Sequence, residues 1–185
     1  MPSSQPIRGV FLQASARSIG DLHLMVDHLA GRTGWPVIDL REKRIGHFDY
    51  DFRNQDDDFL PLIQELIRDY DLIVFATPVY WYTMSGLLKV FFDRLSDLLM
   101  VRKDLGRQLR GKSVAVVSCA HDRELKPGFH MPFQETARYL SMHYCGDVHG
   151  WIEAGALPEE VRRRLDAFLE KLEGELGSLC IGYRK

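Results

Sequence analysis

A short polar stretch with two serines and an arginine follows the first apolar run of the sequence. Ser15, Arg17 and Ser18 come just before Gly20, where a helical pattern begins. Serine hydroxyls and the free backbone N–H groups at a helix start can donate hydrogen bonds to phosphate, and a guanidinium can bind two phosphate oxygens. The stretch therefore predicts a site for a phosphate monoester. An ordinary turn between a strand and a helix is the alternative, because a helix dipole contributes little on its own.

Three aromatic residues follow a proline at the end of a second apolar run. Val79, Tyr80, Trp81 and Tyr82 come directly after Pro78, which lacks the N–H that the interior of a strand needs. Aromatic rings that lie in a turn at the end of a buried strand favour a flat ligand. Packing of the same rings under a neighbouring helix is the alternative, because most aromatic side chains are at least partly buried.

Small residues end a third apolar run. Cys119 and Ala120 follow the run 113–117 and precede His121, and their size would let a ligand approach closely. Because ligands of open α/β sheets bind at the carboxyl ends of the strands, we expect all three turns to line one cleft. We expect Cys119 to be a small buried apolar residue rather than a redox thiol, because no basic residue except His121 flanks it closely in sequence.

Apolar runs alternate with helical patterns along the chain. Strands are predicted at 7–12, 37–40, 72–76, 113–117 and 147–152, and helices at 22–30, 59–70, 84–100, 133–144 and 158–176. Strict alternation of this kind predicts a doubly wound α/β sheet whose five strands are parallel. Gly31 is the expected end of the first helix. Residues 41–56 have no regular period, so we expect an irregular excursion that carries several aromatic side chains.

Length and composition restrict the class of protein. The chain has 185 residues, 45% hydrophobic and 27% charged, with a formal net charge of −2, which predicts a single domain over residues 1–185 and gives no electrostatic case for nucleic acid or an anionic membrane. No apolar run approaches the roughly 20 residues of a membrane span. Cys119, Cys145 and Cys180 are too widely spaced for a redox or zinc pair. Reduced thiols and the absence of a recognisable secretory signal lead us to expect a cytoplasmic protein.

Two patterns imitate functional motifs. Residues 106–113 match the phosphate-binding pattern G-x-x-x-x-G-K-[ST], but they follow a predicted helix and Ser113 begins a strand, which is the reverse of what that motif requires. His143, Cys145 and His149 are metal-capable and close in sequence. We expect no metal site there, because a helix end and the alternation of a strand would point the three side chains apart.

The segment from Thr77 to Arg94, TPVYWYTMSGLLKVFFDR, resembles the signature of the flavodoxin-like NAD(P)H-dependent FMN reductases and quinone reductases. The resemblance extends from the first strand to about Trp151 and implies a flavodoxin-like sheet with the strand order 2-1-3-4-5. It also implies that FMN is the cofactor, with the aromatic turn along its isoalloxazine ring and its phosphate in the first turn. The implied FMN-binding residues are Ser15, Arg17, Ser18, Gly20, Pro78, Val79, Tyr80, Trp81, Tyr82, Cys119, Ala120 and His121. Asp21 and Leu22 depart from the Asn and Ser or Thr that many members carry.

The resemblance implies an oxidoreductase that moves hydride from NAD(P)H through flavin N5 to a quinone, a flavin or a similar electron-poor small molecule. It implies no catalytic acid or base from the chain, and assembly as a homodimer or homotetramer. Two alternatives stay open. One is a flavodoxin-like electron carrier that serves a protein partner, against which the small net charge of −2 counts. The other is a flavodoxin-like scaffold without cofactor, which Asp21 and Leu22 would suit.

Overall fold

Five parallel strands form one sheet in the order β2-β1-β3-β4-β5. The computed structural model describes residues 7–182, with side chains up to residue 176. The strands are β1 (Gly9–Gln13), β2 (Val37–Asp39), β3 (Leu72–Pro78), β4 (Ser113–Cys119) and β5 (His143–Gly150). The predicted flavodoxin-like order is confirmed. It places the carboxyl ends of β1, β3 and β4 next to one another.

Helices cover both faces of this sheet. They are α1 (Asp21–Thr33), α2 (Phe59–Asp69), α3 (Gly86–Met100), α4 (Lys103–Gly106), α5 (Met131–Tyr139) and α6 (Glu159–Gly182). One apolar core lies between the sheet and α1 with α6, and a second lies between the sheet and α2, α3 and α5. Because β3 and β4 are covered on both sides, their residues are apolar on both faces, as the unbroken run 72–76 predicted.

The first helix, α1, continues beyond Gly31, the residue at which it was expected to end. Gly31 lies within α1, and Gly34 ends the helix in the left-handed conformation at φ 69°, where its N–H donates to the carbonyl of Ala30 at 2.8 Å. A glycine in a helix interior weakens the helix by about 1 kcal/mol without stopping it. A helix ends at the glycine that takes a positive φ. The prediction of Gly31 as the end of the helix was therefore wrong.

The boundary between α5 and β5 also differs from the prediction. The helix ends at Tyr139 and the strand begins at His143, so Tyr144 lies in β5 rather than in the predicted helix 133–144. The register of β5 against β4 shifts beside Gly146, which takes a φ of 115°. This bulge interrupts the alternation that identifies a strand in sequence. The pairing with β4 decided the structure of this stretch.

The pattern at 106–113 does not form a phosphate-binding loop. The segment includes the short turn Arg107–Leu109 and runs into β4 at Ser113. The Nζ of Lys112 donates to the carbonyls of Ile67 and Tyr70, at 2.6 and 2.5 Å. Lys112 therefore binds carbonyl groups at the end of α2. Burial lowers the pKa of Lys112.

An irregular excursion was predicted for residues 41–56, and the structure has one at residues 43–58, where a buried arginine of α3 holds it in place. Arg94 is 1% exposed and donates to the carbonyls of Gly46 and Asn54, at 3.1 and 2.9 Å. It also pairs with Asp57 at 2.5 Å and with Asp97 at 2.8 Å. The excursion therefore depends on a charged network in the interior, and its own sequence shows no sign of this.

Candidate functional site

The three turns meet in one open cleft at the carboxyl edge of the sheet. The cleft encloses about 530 Å³, a volume that includes space open to solvent. Its walls are Ser15, Arg17, Gly20, Asp21 and Leu22 from the first turn, Pro78, Val79 and Tyr80 from the second, and Cys119, Ala120 and His121 from the third. The cleft walls thus include nine of the twelve residues implied by the resemblance, together with Asp21 and Leu22. Ser18, Trp81 and Tyr82 belong to the same turns but lie outside these walls.

The first turn presents donors around the start of α1. Ser15 is 8% exposed, and its Oγ accepts the N–H of Arg17 at 3.3 Å. The Arg17 side chain folds over Gly20, since a Cβ built on Gly20 would lie 3.6 Å from Arg17 Nε. Gly20 has no side chain to cap the helix, which leaves the N–H groups of the first helical turn without a side-chain acceptor at that position. This end of the cleft therefore offers backbone donors to a ligand.

Arg17 and Asp21 bring opposite charges to the first turn. Among the described residues, no carboxylate lies within ion-pair distance of the Arg17 guanidinium, whereas arginines such as Arg8 and Arg123 are paired with acids. Asp21 supplies one negative charge to the cleft wall. Burial, followed by the charge of Asp21, raises the pKa of the Cys119 thiol to about 12. Cys119 therefore stays protonated at neutral pH, as expected of a buried apolar residue.

The second turn is a tight hairpin with an unusual composition. Tyr80 and Thr83 exchange two backbone hydrogen bonds of 2.9 and 3.1 Å, and the two residues between them take positive φ angles, 49° at Trp81 and 66° at Tyr82. Positive φ at both central positions defines the type I′ turn, which Asn-Gly normally occupies. Bulky residues in this conformation cost roughly 1–3 kcal/mol each and are found preferentially at functional sites.

The side chains of this hairpin are open to solvent rather than packed into the core. Trp81 is 91% exposed and Tyr82 is 64% exposed. Their backbone N–H groups have no acceptor within the described part of the chain. The alternative interpretation of the sequence, in which these rings pack under a neighbouring helix, does not hold for Trp81 and Tyr82. The hairpin offers two unused donors and aromatic surface beside the cleft.

Ser85 ties the second turn to the first, and the sequence interpretation missed it. Its Oγ donates to the carbonyl of Ala14 at 2.6 Å and accepts the N–H of Leu88 at 3.2 Å. Its N–H donates to Thr77 Oγ1 at 2.9 Å. Ser85 therefore caps α3 and fixes the ends of β1 and β3 relative to each other. A serine directly before a helical pattern is the signal that could have identified the cap.

The third turn is held by a histidine from β5. The Nε2 of His149 lies 2.9 Å from the carbonyl oxygen of Asp122, and its Nδ1 lies 2.9 Å from Ser118 Oγ. Because a carbonyl can only accept, Nε2 donates, and Nδ1 of the neutral ring accepts from the serine. Burial lowers the pKa of His149, which favours this neutral form. His149 therefore positions the turn that carries His121.

Among the described residues, no group of three or more His, Cys, Asp or Glu side chains could hold a metal ion.

The sequence profile of the NADPH-dependent FMN reductases matches residues 12–150, more than half of the chain. The chain belongs to this family. One relative is the "putative NAD(P)H-dependent FMN-containing oxidoreductase YwqN" of Bacillus subtilis, which is 31% identical over 119 residues. The match covers 62% of this chain and 62% of YwqN. The potassium-efflux ancillary protein KefG of Cronobacter sakazakii is 36% identical over 92 residues, 44% of this chain and 50% of KefG. Both matches cover less than two thirds of the relative's own length.

Solved structures agree with the family's fold. The Trp repressor binding protein of Bacillus subtilis superimposes with a TM-score of 0.64 at 22% identity, over 89% of this chain and 96% of that one. The general stress protein 14 of Treponema denticola, solved with FMN, gives a TM-score of 0.59 at 21% identity, over 90% and 98% of the two chains. Both solved structures share the flavodoxin-like fold of this chain. No described helix of this chain is both long and apolar enough to cross a membrane.

Proposed function

We propose that this member of the FMN reductase family binds FMN in the cleft and transfers reducing equivalents from NAD(P)H to a small electron-poor acceptor such as a quinone or a flavin. The observation that carries the proposal is the convergence of the three turns. A donor-rich turn at one side of the cleft and an aromatic hairpin at another match a ligand with a phosphate and a flat ring system.

The first turn fits the phosphate of FMN. Arg17, Ser15 and the uncapped start of α1 would hold it, because each supplies N–H or O–H donors to the same end of the cleft. Asp21 opposes the negative charge, and Leu22 brings no hydroxyl. The donors present still outnumber the single acid, so the residues fit the group.

The second and third turns fit the ring system. The N–H groups of Trp81 and Tyr82 are unused within the described chain, so they can donate to the polar edge of a flavin. Tyr80 lines the cleft on the same side, and the small Ala120 lines it from the third turn. These residues would bind the ring, orient it and limit the access of water.

Bound FMN supplies the redox chemistry by accepting a hydride and passing electrons on. The chain's own residues are therefore required for binding and orientation rather than for proton transfer. Cys119 is unsuited to thiolate chemistry, because its pKa of about 12 keeps it protonated. We place this activity in the cytoplasm, where cells maintain NAD(P)H.

Titration of the purified protein with FMN and with riboflavin tests the proposal. We expect quenching of FMN fluorescence on binding, and NAD(P)H oxidation that a quinone accelerates without any added protein. Arg17→Ala should weaken FMN roughly 10- to 100-fold and riboflavin little, as the loss of charge-assisted hydrogen bonds predicts. Absence of flavin binding would support the cofactor-free scaffold, and binding without turnover of small acceptors would support the electron carrier.

Assembly of two or four copies is also part of the proposal. Tyr50, Trp81, Tyr82, Leu87 and Met131 are large apolar or aromatic residues that are more than one third exposed, and a second copy could cover some of them. Sedimentation equilibrium with and without FMN measures the mass directly. A monomer at all concentrations would contradict this part and leave the cofactor proposal intact.

A further inference from the structure

A second arginine contacts the first turn from the neighbouring strand. Arg41 follows β2, and its Nη1 donates to Ser18 Oγ at 2.9 Å. Its backbone N–H donates to Asp39 Oδ1, also at 2.9 Å, which fixes the short helical turn Leu40–Glu42 at the end of β2. The contact joins residues that are 23 positions apart in sequence, so no local pattern announces it.

The sheet holds this contact in place. β1 and β2 pair in register, with Gln13 opposite Asp39. Gln13 is 2% exposed, and its Nε2 donates to the carbonyl of Ser18 at 3.1 Å. Ser18 is therefore bound through its carbonyl by β1 and through its hydroxyl by Arg41. The turn and the second guanidinium form one unit.

The guanidinium of Arg41 has donors to spare. It carries five N–H groups in a planar fork, and its bond to Ser18 is the one hydrogen bond that this guanidinium makes within the described chain. No described carboxylate lies within ion-pair distance of it. Because Ser18 Oγ accepts from Arg41, its own hydroxyl proton remains free to donate. Neither Ser18 nor Arg41 lines the cleft itself, so these donors are available to a ligand group that extends past the walls of the first turn.

The charges at the first turn favour phosphate binding as the role of the spare N–H groups of Arg41. A phosphate monoester carries about −1.5 to −2 charges near pH 7. Arg17 supplies one positive charge at the first turn, and Asp21 in the first turn of α1 cancels it. Arg41 restores an excess of positive charge there. It also adds donors on the side of the turn that faces β2.

We propose that Arg41 binds the phosphate of FMN together with Arg17, braced by Ser18, and that it compensates for the hydroxyl that Leu22 does not supply. The inference rests on the proposed FMN site. It makes Arg41 a residue that selects FMN over riboflavin.

The test measures affinities for FMN and riboflavin by fluorescence quenching in the full-length protein. Arg41→Ala should weaken FMN roughly 10- to 100-fold while riboflavin changes less than about 3-fold, since only FMN carries the charged group. Arg41→Lys should recover part of the loss, because lysine keeps the charge but not the fork. Arg44→Ala is the matched control. Arg44 is an exposed arginine three positions further on, and its backbone N–H binds Asp58. FMN affinity should change less than about 2-fold in this control.

Each remaining outcome overturns the inference in a distinguishable way. Equal losses for FMN and riboflavin in Arg41→Ala would mean that Arg41 only braces the turn. An unchanged FMN affinity, or a change confined to the preference for NADPH over NADH, would exclude Arg41 from the FMN phosphate while the proposed function stands. Wild-type protein that binds neither flavin would overturn the proposed function itself. If Arg41→Ala does not fold, as judged by circular dichroism, Arg41→Gln takes its place, and it should lower FMN affinity more than riboflavin affinity.

Discussion

Individual residues decide how strongly the first-turn end of the cleft attracts an anion. Arg17 carries the favourable charge and Asp21 opposes it in the first turn of α1. An acid at the start of a helix normally stabilises the helix through the helix dipole. In this protein the same acid would compete with the ligand for the positive end of the helix dipole.

Replacing Asp21 by Asn should therefore strengthen FMN binding. The change removes a negative charge near a dianion, and we expect the Kd for FMN to fall about 3- to 10-fold at low salt, with a smaller effect at high salt. Titration of apoprotein at two salt concentrations measures this. Riboflavin is the control ligand, and a gain of the same size for riboflavin would exclude a charge effect.

His149 should make the stability of the fold depend on pH. Burial lowers its pKa below the ordinary 6.5, so the unfolded chain binds a proton that the folded chain resists. The stabilisation is complete above pH 6.5 and is lost as the pH falls through the folded-state pKa. Urea denaturation at a series of pH values should show a steeper fall in stability just below pH 6.5 in wild type than in His149→Gln. Identical slopes would contradict the assignment.

At the scale of elements, the hairpin at 80–83 has a strained backbone and leaves the N–H groups of Trp81 and Tyr82 without an acceptor in the described chain. Its positive φ angles of 49° and 66° suit glycine and asparagine rather than tryptophan and tyrosine. A second hairpin, at 153–156, has the same pair of backbone bonds between Glu153 and Ala156, with Ala154 at φ 50° and Gly155 at φ 76°. The second hairpin offers a comparison on the same sheet edge.

The double change Trp81→Asn with Tyr82→Gly should stabilise the apoprotein by about 1–2 kcal/mol, because it relieves two strained residues. It should also weaken the binding of riboflavin, which depends on the ring contacts. Urea denaturation and flavin titration measure the two effects. Ala154→Asn is the control, since it should stabilise slightly and leave flavin affinity unchanged. A destabilised double variant would show that the aromatic side chains contribute more than the strain costs.

At the scale of the whole molecule, Arg94 connects α3 to the excursion at 43–58. Its guanidinium lies 4.8 Å from the ring centre of Phe59 and bonds to both Asp57 and Asp97. Arg94 and Asp97 are 1% and 2% exposed. Removal of one partner from such a network leaves carboxylates without their counter-ion in the interior.

Arg94→Met should therefore lower the free energy of unfolding by about 3–5 kcal/mol, the usual cost of breaking a buried ion pair. Lys89→Met is the matched control on the same helix. Lys89 pairs with Asp93 at 2.5 Å, but both side chains are about half exposed, so its loss should cost about 0–1 kcal/mol. Chemical denaturation of both variants gives the comparison, and equal effects would show that burial of the network is unimportant.

The sequence by itself determined the layers of the molecule and the place of its candidate site. The alternation of apolar runs with helical periods requires a covered parallel sheet, and the turns after β1, β3 and β4 must then share an edge. Pro78 and the aromatic residues after it showed where the chain leaves the sheet. Local chemistry was sufficient in each case, because the strand, the turn and the helix start are all specified within a few residues.

Only the tertiary structure decided which side chains complete that edge. Arg41 meets Ser18, and His149 meets the carbonyl of Asp122, across strands that are distant in sequence. Trp81 likewise takes a positive φ against its own preference, and Ser85 ties the end of the same turn to Thr77 and Ala14. Such contacts are set by the register of neighbouring strands and by burial. Residue type and spacing predict neither the register nor the burial, because both arise only when the sheet has formed.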